Sequence, residues 1–146
     1  MLYDIQEIAM GVIAPREHQR VIGQLFFFLA KLYFEGKINL EPFVETMLDD
    51  TKSSAVPDVS LYDNEAEQTK IIIEVCKTNG EADDFEKLKN LIEYRKYGIE
   101  EGFVYNYKKK SWLKYSKGKD ITYSSTSWSD VLSFDLADAL ESLENV

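Results

Sequence analysis

Ile71-Ile72-Ile73-Glu74-Val75-Cys76 decides the fold when it is read with Val56-Pro57-Asp58-Val59-Ser60-Leu61-Tyr62 upstream of it. The first stretch is a continuous apolar run interrupted by one acid. Such a run suits a central strand covered on both faces. In the second stretch Val59 and Leu61 fall on one face and Asp58, Ser60 and Tyr62 on the other, because side chains alternate across a strand. Asp58 follows a proline, and Glu74 stands sixteen residues later, directly after three isoleucines. An acid at the end of a buried strand needs a partner. Two desolvated like charges repel, and a cation between them removes the repulsion. Hard divalent cations take carboxylate oxygens, so Asp58 and Glu74 are candidate ligands for Mg²⁺ or Mn²⁺. That chemistry points toward hydrolysis of a phosphate ester.

Outward from this pair the chain alternates between helical and strand periods. Pro15 opens a helix in which Val21, Leu25, Phe28 and Leu32 recur at helical spacing, widened by Ile22 and Leu29, and which ends near Gly36. Phe43 to Leu48 reads as a strand, residues 49–54 as a turn and Val56 to Tyr62 as the next strand. Asn79-Gly80 breaks the chain after Cys76. Residues 81–97 form a second helix with Phe85, Leu88 and Ile92 on its buried stripe, stopped by Gly98. Gly102 to Tyr107 and Ser111 to Tyr115 flank Lys108-Lys109-Lys110 as a hairpin, continued by residues 120–124. Phe134 to Leu143 reads as a short C-terminal helix. The order predicts an α/β (α+β) fold, a mixed central sheet with helices on its faces, in a single domain over residues 1–146.

Composition narrows the function classes. A hydrophobic content of 45% and an aromatic content of 13% fit a globular chain rather than a disordered one. No apolar run approaches the roughly 20 residues that span a bilayer. Residues 1–14 lack a basic segment before an apolar one, so no export signal is read there. The single cysteine, Cys76, excludes an internal disulfide and, with the missing signal, suggests the cytoplasm. One histidine and one cysteine do not make a zinc site of those ligands. His18 shares its helical spacing with Ile22, Leu25 and Leu29 and reads as a packed or hydrogen-bonded histidine. No nucleophile–base pair for a small-molecule hydrolase is visible.

The net charge of −9 speaks against casual nucleic-acid binding. Residues 104–119, however, carry six lysines and no acid, a local +6 that leaves the rest of the chain at −15. Lys108, Lys109 and Lys110 are therefore either an electrostatic footprint for nucleic acid or the protective lysines of an edge hairpin.

The long N-terminal helix, Pro57-Asp58-Val59-Ser60, Ile73-Glu74-Val75 and a helix with Tyr94 four residues before Gly98 form a familiar series. With Gly98-Ile99, Phe103-Val104-Tyr105 and the tail from Trp128 through Leu140, it resembles the Uma-type (Uma-two) restriction endonuclease family of the PD-(D/E)XK nuclease-like superfamily. The resemblance covers nearly the whole chain. It implies a restriction-endonuclease-like core and a Mg²⁺- or Mn²⁺-dependent endonuclease. Its expected substrate is nucleic acid, DNA foremost, and its expected partner a second copy in a homodimer. Asp58 and Glu74 would then hold the metal with a backbone carbonyl near Val75, and a lysine would orient water or stabilise developing charge. The superfamily's strand lysine stands two residues after the acid. Here that place is Cys76, and Lys77 follows it. The family's helix lysine, four residues before the tyrosine, is Asn90, with Lys87 one turn earlier on roughly the same face. Lys77 and Lys87 are the two candidates, with a slight preference for Lys77. Glu17, in line with Val21 and Leu25, is either a further site acid or a first-turn acid satisfying the helix dipole. The alternative function is a catalytically inactive relative of the same fold, acting as a binding or assembly module. A divalent-metal titration separates the two.

Overall fold

The isoleucine run becomes the middle of the sheet. In a computed structural model that describes residues 15–51, 54–94, 96–119 and 123–141, a six-stranded sheet has the order β1-β2-β3-β4-β5-β6. The strands are β1 (Glu41–Val44), β2 (Val59–Asp63), β3 (Gln68–Cys76), β4 (Glu101–Asn106), β5 (Ser111–Ser116) and β6 (Tyr123–Ser124). All neighbours are antiparallel except β3 and β4. That parallel step needs a crossover, which α2 (Glu81–Tyr94) supplies. The sheet is mixed and flanked by helices, as the sequence predicts.

Each face has its own helix. Val21, Ile22, Leu25 and Leu29 of α1 (Arg16–Phe34) pack with Val59, Leu61, Ile71, Ile73 and Val75. Leu88 and Ile92 of α2 pack with Ile72, Cys76 and Val104 on the opposite face. Burial on both sides explains why β3 does not alternate between apolar and polar. Gly102 lets α2 come this close, since a Cβ there would sit 2.7 Å from Ile92 Cδ1 and closer still to Leu88. No helix among the described residues is long and apolar enough to cross a membrane.

Several boundaries differ from the sequence reading. The first strand is residues 41–44 rather than 43–48, because Glu45 has a left-handed φ of 45°. The second starts at Val59 rather than Val56, because Pro57 has no N–H to give and the Asp58 N–H goes to a side chain. The second helix stops at Tyr94, short of residue 97. The expected C-terminal helix over 134–143 is instead strand β8 (Phe134–Asp135), paired with β7 (Trp128–Ser129), and a 3-10 turn over Leu136–Leu140. Asp135 is the cause: its carboxylate accepts from the Ala137 N–H and the Ser127 hydroxyl, which fixes a short cap in place of a full helix. Residues 1–14, in which no export signal is expected, the hairpin continuation at 120–122 and positions 142–143 lie outside the described residues.

Glu101 anchors this tail. Its buried carboxylate accepts from Ser129 Oγ at 2.6 Å, from the Asp130 and Val131 N–H groups at 2.8 and 3.2 Å, and pairs with Lys114 at 3.3 Å. Lys114 in turn donates to Trp128 O and Asp130 Oδ2, both at 2.8 Å.

Candidate functional site

The late start of β2 creates the site. In the antiparallel register Val59 stands opposite Ile73, so Asp58 and Glu74 come next, just past the last regular pair. The Val75 backbone faces the side of β3 that β2 leaves open here, because Cys76 O on the other side takes the Tyr107 N–H from the end of β4. Buried backbone groups need partners. Asp58 Oδ2 accepts the Val75 N–H at 2.7 Å, and His18 Nε2 donates to the Val75 carbonyl at 2.8 Å. The Asp58 N–H donates to Glu74 Oε1 at 3.1 Å. Thus Asp58 and Glu74 are linked directly, and Val75 sits between Asp58 and the first turn of α1.

Electrostatics make this a costly arrangement. Burial, with the Asp58 charge beside it, pushes the Glu74 carboxyl up to about 8. Burial also raises the Asp84 carboxyl above its ordinary value, against the pull of Lys87. The Asp58 carboxylate, whose Oδ2 lies 3.6 Å from His18 Nε2, raises the His18 imidazole. Cys76, buried beside these acids, is pushed up to about 12 and offers no thiolate.

Glu74 alternates with Ile72 and Cys76 and so faces α2. There it lines a cleft of about 520 Å³ with Asp84, Lys87, Asn90, Leu91 and Tyr94 on one side and Ala55, Val56 and Pro57 on the other. Among the described residues no three His, Cys, Asp or Glu side chains gather into a ready-made metal cluster. Any cation here depends on backbone oxygen as well as carboxylates, which fits the Val75 carbonyl.

The two lysines are placed differently. Lys87 shares the cleft with Glu74 and stabilises its charged form. Lys77 follows β3 in an extended conformation, φ −91° and ψ 173°, and is exposed; alternation from Glu74 and Cys76 turns it to the other face. Glu17 is exposed and pairs with Lys108 at 3.4 Å. Lys109 pairs with Glu81 at 3.3 Å, and Lys114 is buried with Glu101. Two residues were missed as site members. Asp84 carried a signal in its helical spacing to Lys87 and Leu91. His18 carried none, because its partner is a backbone carbonyl 57 positions away.

Comparison with known proteins bears on the family and the fold. The pattern of the Uma2 family, described as "Putative restriction endonuclease", matches residues 6–144. No curated protein matches the chain. Among solved structures, a nuclease described as putative and belonging to DUF820, from Anabaena variabilis, is similar in fold. The TM-score is 0.63 at 13% identity, over 88% of this chain and 82% of that one.

Proposed function

This chain belongs to the Uma2 family, and from that premise we propose that it is a metal-dependent endonuclease with its active site at Asp58 and Glu74. DNA is the substrate we expect first. The observation that carries the reading is the acid pair itself. Glu74 is half-buried and desolvated beside Asp58, at a cost that a bound cation removes. Asp58, Glu74 and the Val75 carbonyl would hold Mg²⁺ or Mn²⁺. Bound there, the cation supplies charge for the phosphoryl oxygens and lowers the pKa of a water.

The chain's own groups do the rest. The Val75 N–H fixes Asp58 Oδ2, and the Asp58 N–H fixes Glu74 Oε1, so both carboxylates are oriented before any ligand arrives. Lys87 places an ammonium in the same cleft, where it can meet a phosphate or an attacking water. We therefore assign the lysine role to Lys87 rather than Lys77. Val56 and Pro57 add apolar surface to the cleft opposite Leu91.

The test is cleavage. With Mn²⁺ or Mg²⁺ the protein should nick or cut DNA, and chelation should abolish this. No metal-dependent cleavage across varied DNA and RNA substrates favours the alternative, a non-catalytic binding module on the same fold.

A further inference from the structure

We propose that the cleft beside Glu74 is a nucleobase pocket: Tyr94 stacks on an unpaired base and Asn90 meets its edge, so that single-stranded nucleic acid is taken in preference to duplex. This rests on the nuclease reading above for the phosphate set beside Lys87. The first observation is the order of charge along α2. Asp84, Lys87, Leu91 and Tyr94 follow one another at steps of three and four residues, and all line the cleft. Asp84 and Lys87 both act on the Glu74 carboxyl, so the charges gather at one end. Beyond Lys87 the lining that α2 supplies is uncharged: Asn90, Leu91 and Tyr94. At about 1.5 Å of rise per residue, Tyr94 lies about 10 Å along the axis from Lys87. The acidic end repels a phosphate, whereas a base carries no charge. The order therefore suits a phosphate met by Lys87 with its base laid toward Tyr94.

The second observation is exposure. Tyr94 is 77% exposed and Val56 49%. Single exposed apolar groups are ordinary, but these two line the same cleft. Asn90 is exposed beside them, and its amide offers both a donor and an acceptor, as a base edge does. The opposite wall is already in place. The Leu48 N–H donates to the Ala55 carbonyl at 3.1 Å, and the Tyr97 hydroxyl, just past α2, donates to Asp49 Oδ2 at 2.5 Å. The loop that carries Val56 is thus tied to the end of α2 before any ligand binds. At about 520 Å³ the cleft is of the size that takes a small molecule.

The consequence is selectivity for strand form. In a duplex each base is covered by its stacked neighbours and its pairing edge is taken, so Tyr94 and Asn90 reach a base only after it leaves the stack. Aromatic side chains hold single strands by stacking, whatever the base. Contact led by a base also suits a chain of net charge −9, which has little general attraction for phosphate.

The test is binding without turnover. The full-length protein is titrated into a short fluorescein-labelled DNA strand that forms no hairpin, and into the same strand annealed to its complement. Both titrations are run with EDTA and again with Ca²⁺ in its place, and anisotropy reports binding. The single strand should bind at least about fivefold tighter than the duplex. Tyr94→Leu should weaken the single strand at least about fivefold and leave the duplex unchanged, while Tyr94→Trp, which keeps a stacking surface, should retain the preference. Asn90→Ala should weaken the single strand by a smaller factor. Equal binding of the two strand forms, Tyr94→Leu binding both as the wild type does, or no binding under either condition overturns the pocket; metal-dependent cleavage by the same preparation then leaves the nuclease reading standing. A single-strand preference that depends on Tyr94, without metal-dependent cleavage, supports the pocket and overturns the nuclease reading.

Discussion

Asp58 and Glu74 are bound to each other across the β2–β3 gap: the Asp58 N–H donates to Glu74 Oε1 at 3.1 Å, while the Asp58 carboxylate takes the N–H of the next residue, Val75, at 2.7 Å. The backbone thus holds together two acids that their charges push apart. The strain between them is measurable without any substrate.

Glu74→Gln should stabilise the metal-free protein. The amide oxygen still accepts from Asp58, and the buried charge is gone. Because the folded-state pKa of Glu74 is raised from 4.5 to about 8, the fold favours its neutral form. Stability from this group is intact below the unfolded value and falls as pH rises from about 4.5 through about 8. The variant's advantage should therefore be small at pH 4.5 and grow to on the order of 2 kcal/mol above pH 8. Denaturant melts across that range check it. An advantage that shrinks with pH contradicts the assignment.

Lys87→Met should lose turnover by about 10²-fold or more while keeping Mn²⁺ affinity, since a lysine that meets the phosphate or the water is not a ligand. Lys77→Met should leave both nearly unchanged. Parallel single-turnover assays and metal titrations decide, and the reverse pattern restores Lys77.

Neutralising Lys108, Lys109 and Lys110 together should change nucleic-acid affinity little. Lys108 and Lys109 already face Glu17 and Glu81. The log–log salt slope on duplex DNA should fall by no more than about 0.9, one phosphate contact. A fall of two or more contacts makes this hairpin the footprint after all.

Glu101→Ala should destabilise the fold by about 3 kcal/mol or more, because it removes one of the carboxylates paired with buried Lys114 and the acceptor of three hydrogen-bond donors. Glu101→Gln should cost less. Thermal unfolding of the two variants measures the difference.

The sequence made the layers legible and the site only half so. The periodicity of Val21, Leu25 and Leu29 and the run Ile71–Ile73 report burial, and burial is what separates the layers. Strand ends follow from hydrogen-bond accounting that periodicity does not carry: Glu45 turns left-handed, and Pro57 has nothing to donate. The C-terminal helix failed for the same reason, since Asp135 caps locally what its apolar spacing would have continued. Asp58 and Glu74 were readable because acids beside apolar strands stand out. His18 was not, because its apolar neighbours on α1 gave it the look of a core residue, and only the tertiary fold brings the Val75 carbonyl to it. The choice between Lys77 and Lys87 turned on where β3 ends and on which face α2 presents.

The most direct measurement is a Mn²⁺ titration of the wild-type protein beside Asp58→Asn. Asparagine keeps an acceptor for the Val75 N–H, so the fold should hold while the charge is lost. The expected result is one saturable site in the wild type, weakened by at least about tenfold in the variant at unchanged thermal stability of the metal-free form. Equal Mn²⁺ binding by both proteins, or none by the wild type, contradicts the metal site and the nuclease built on it.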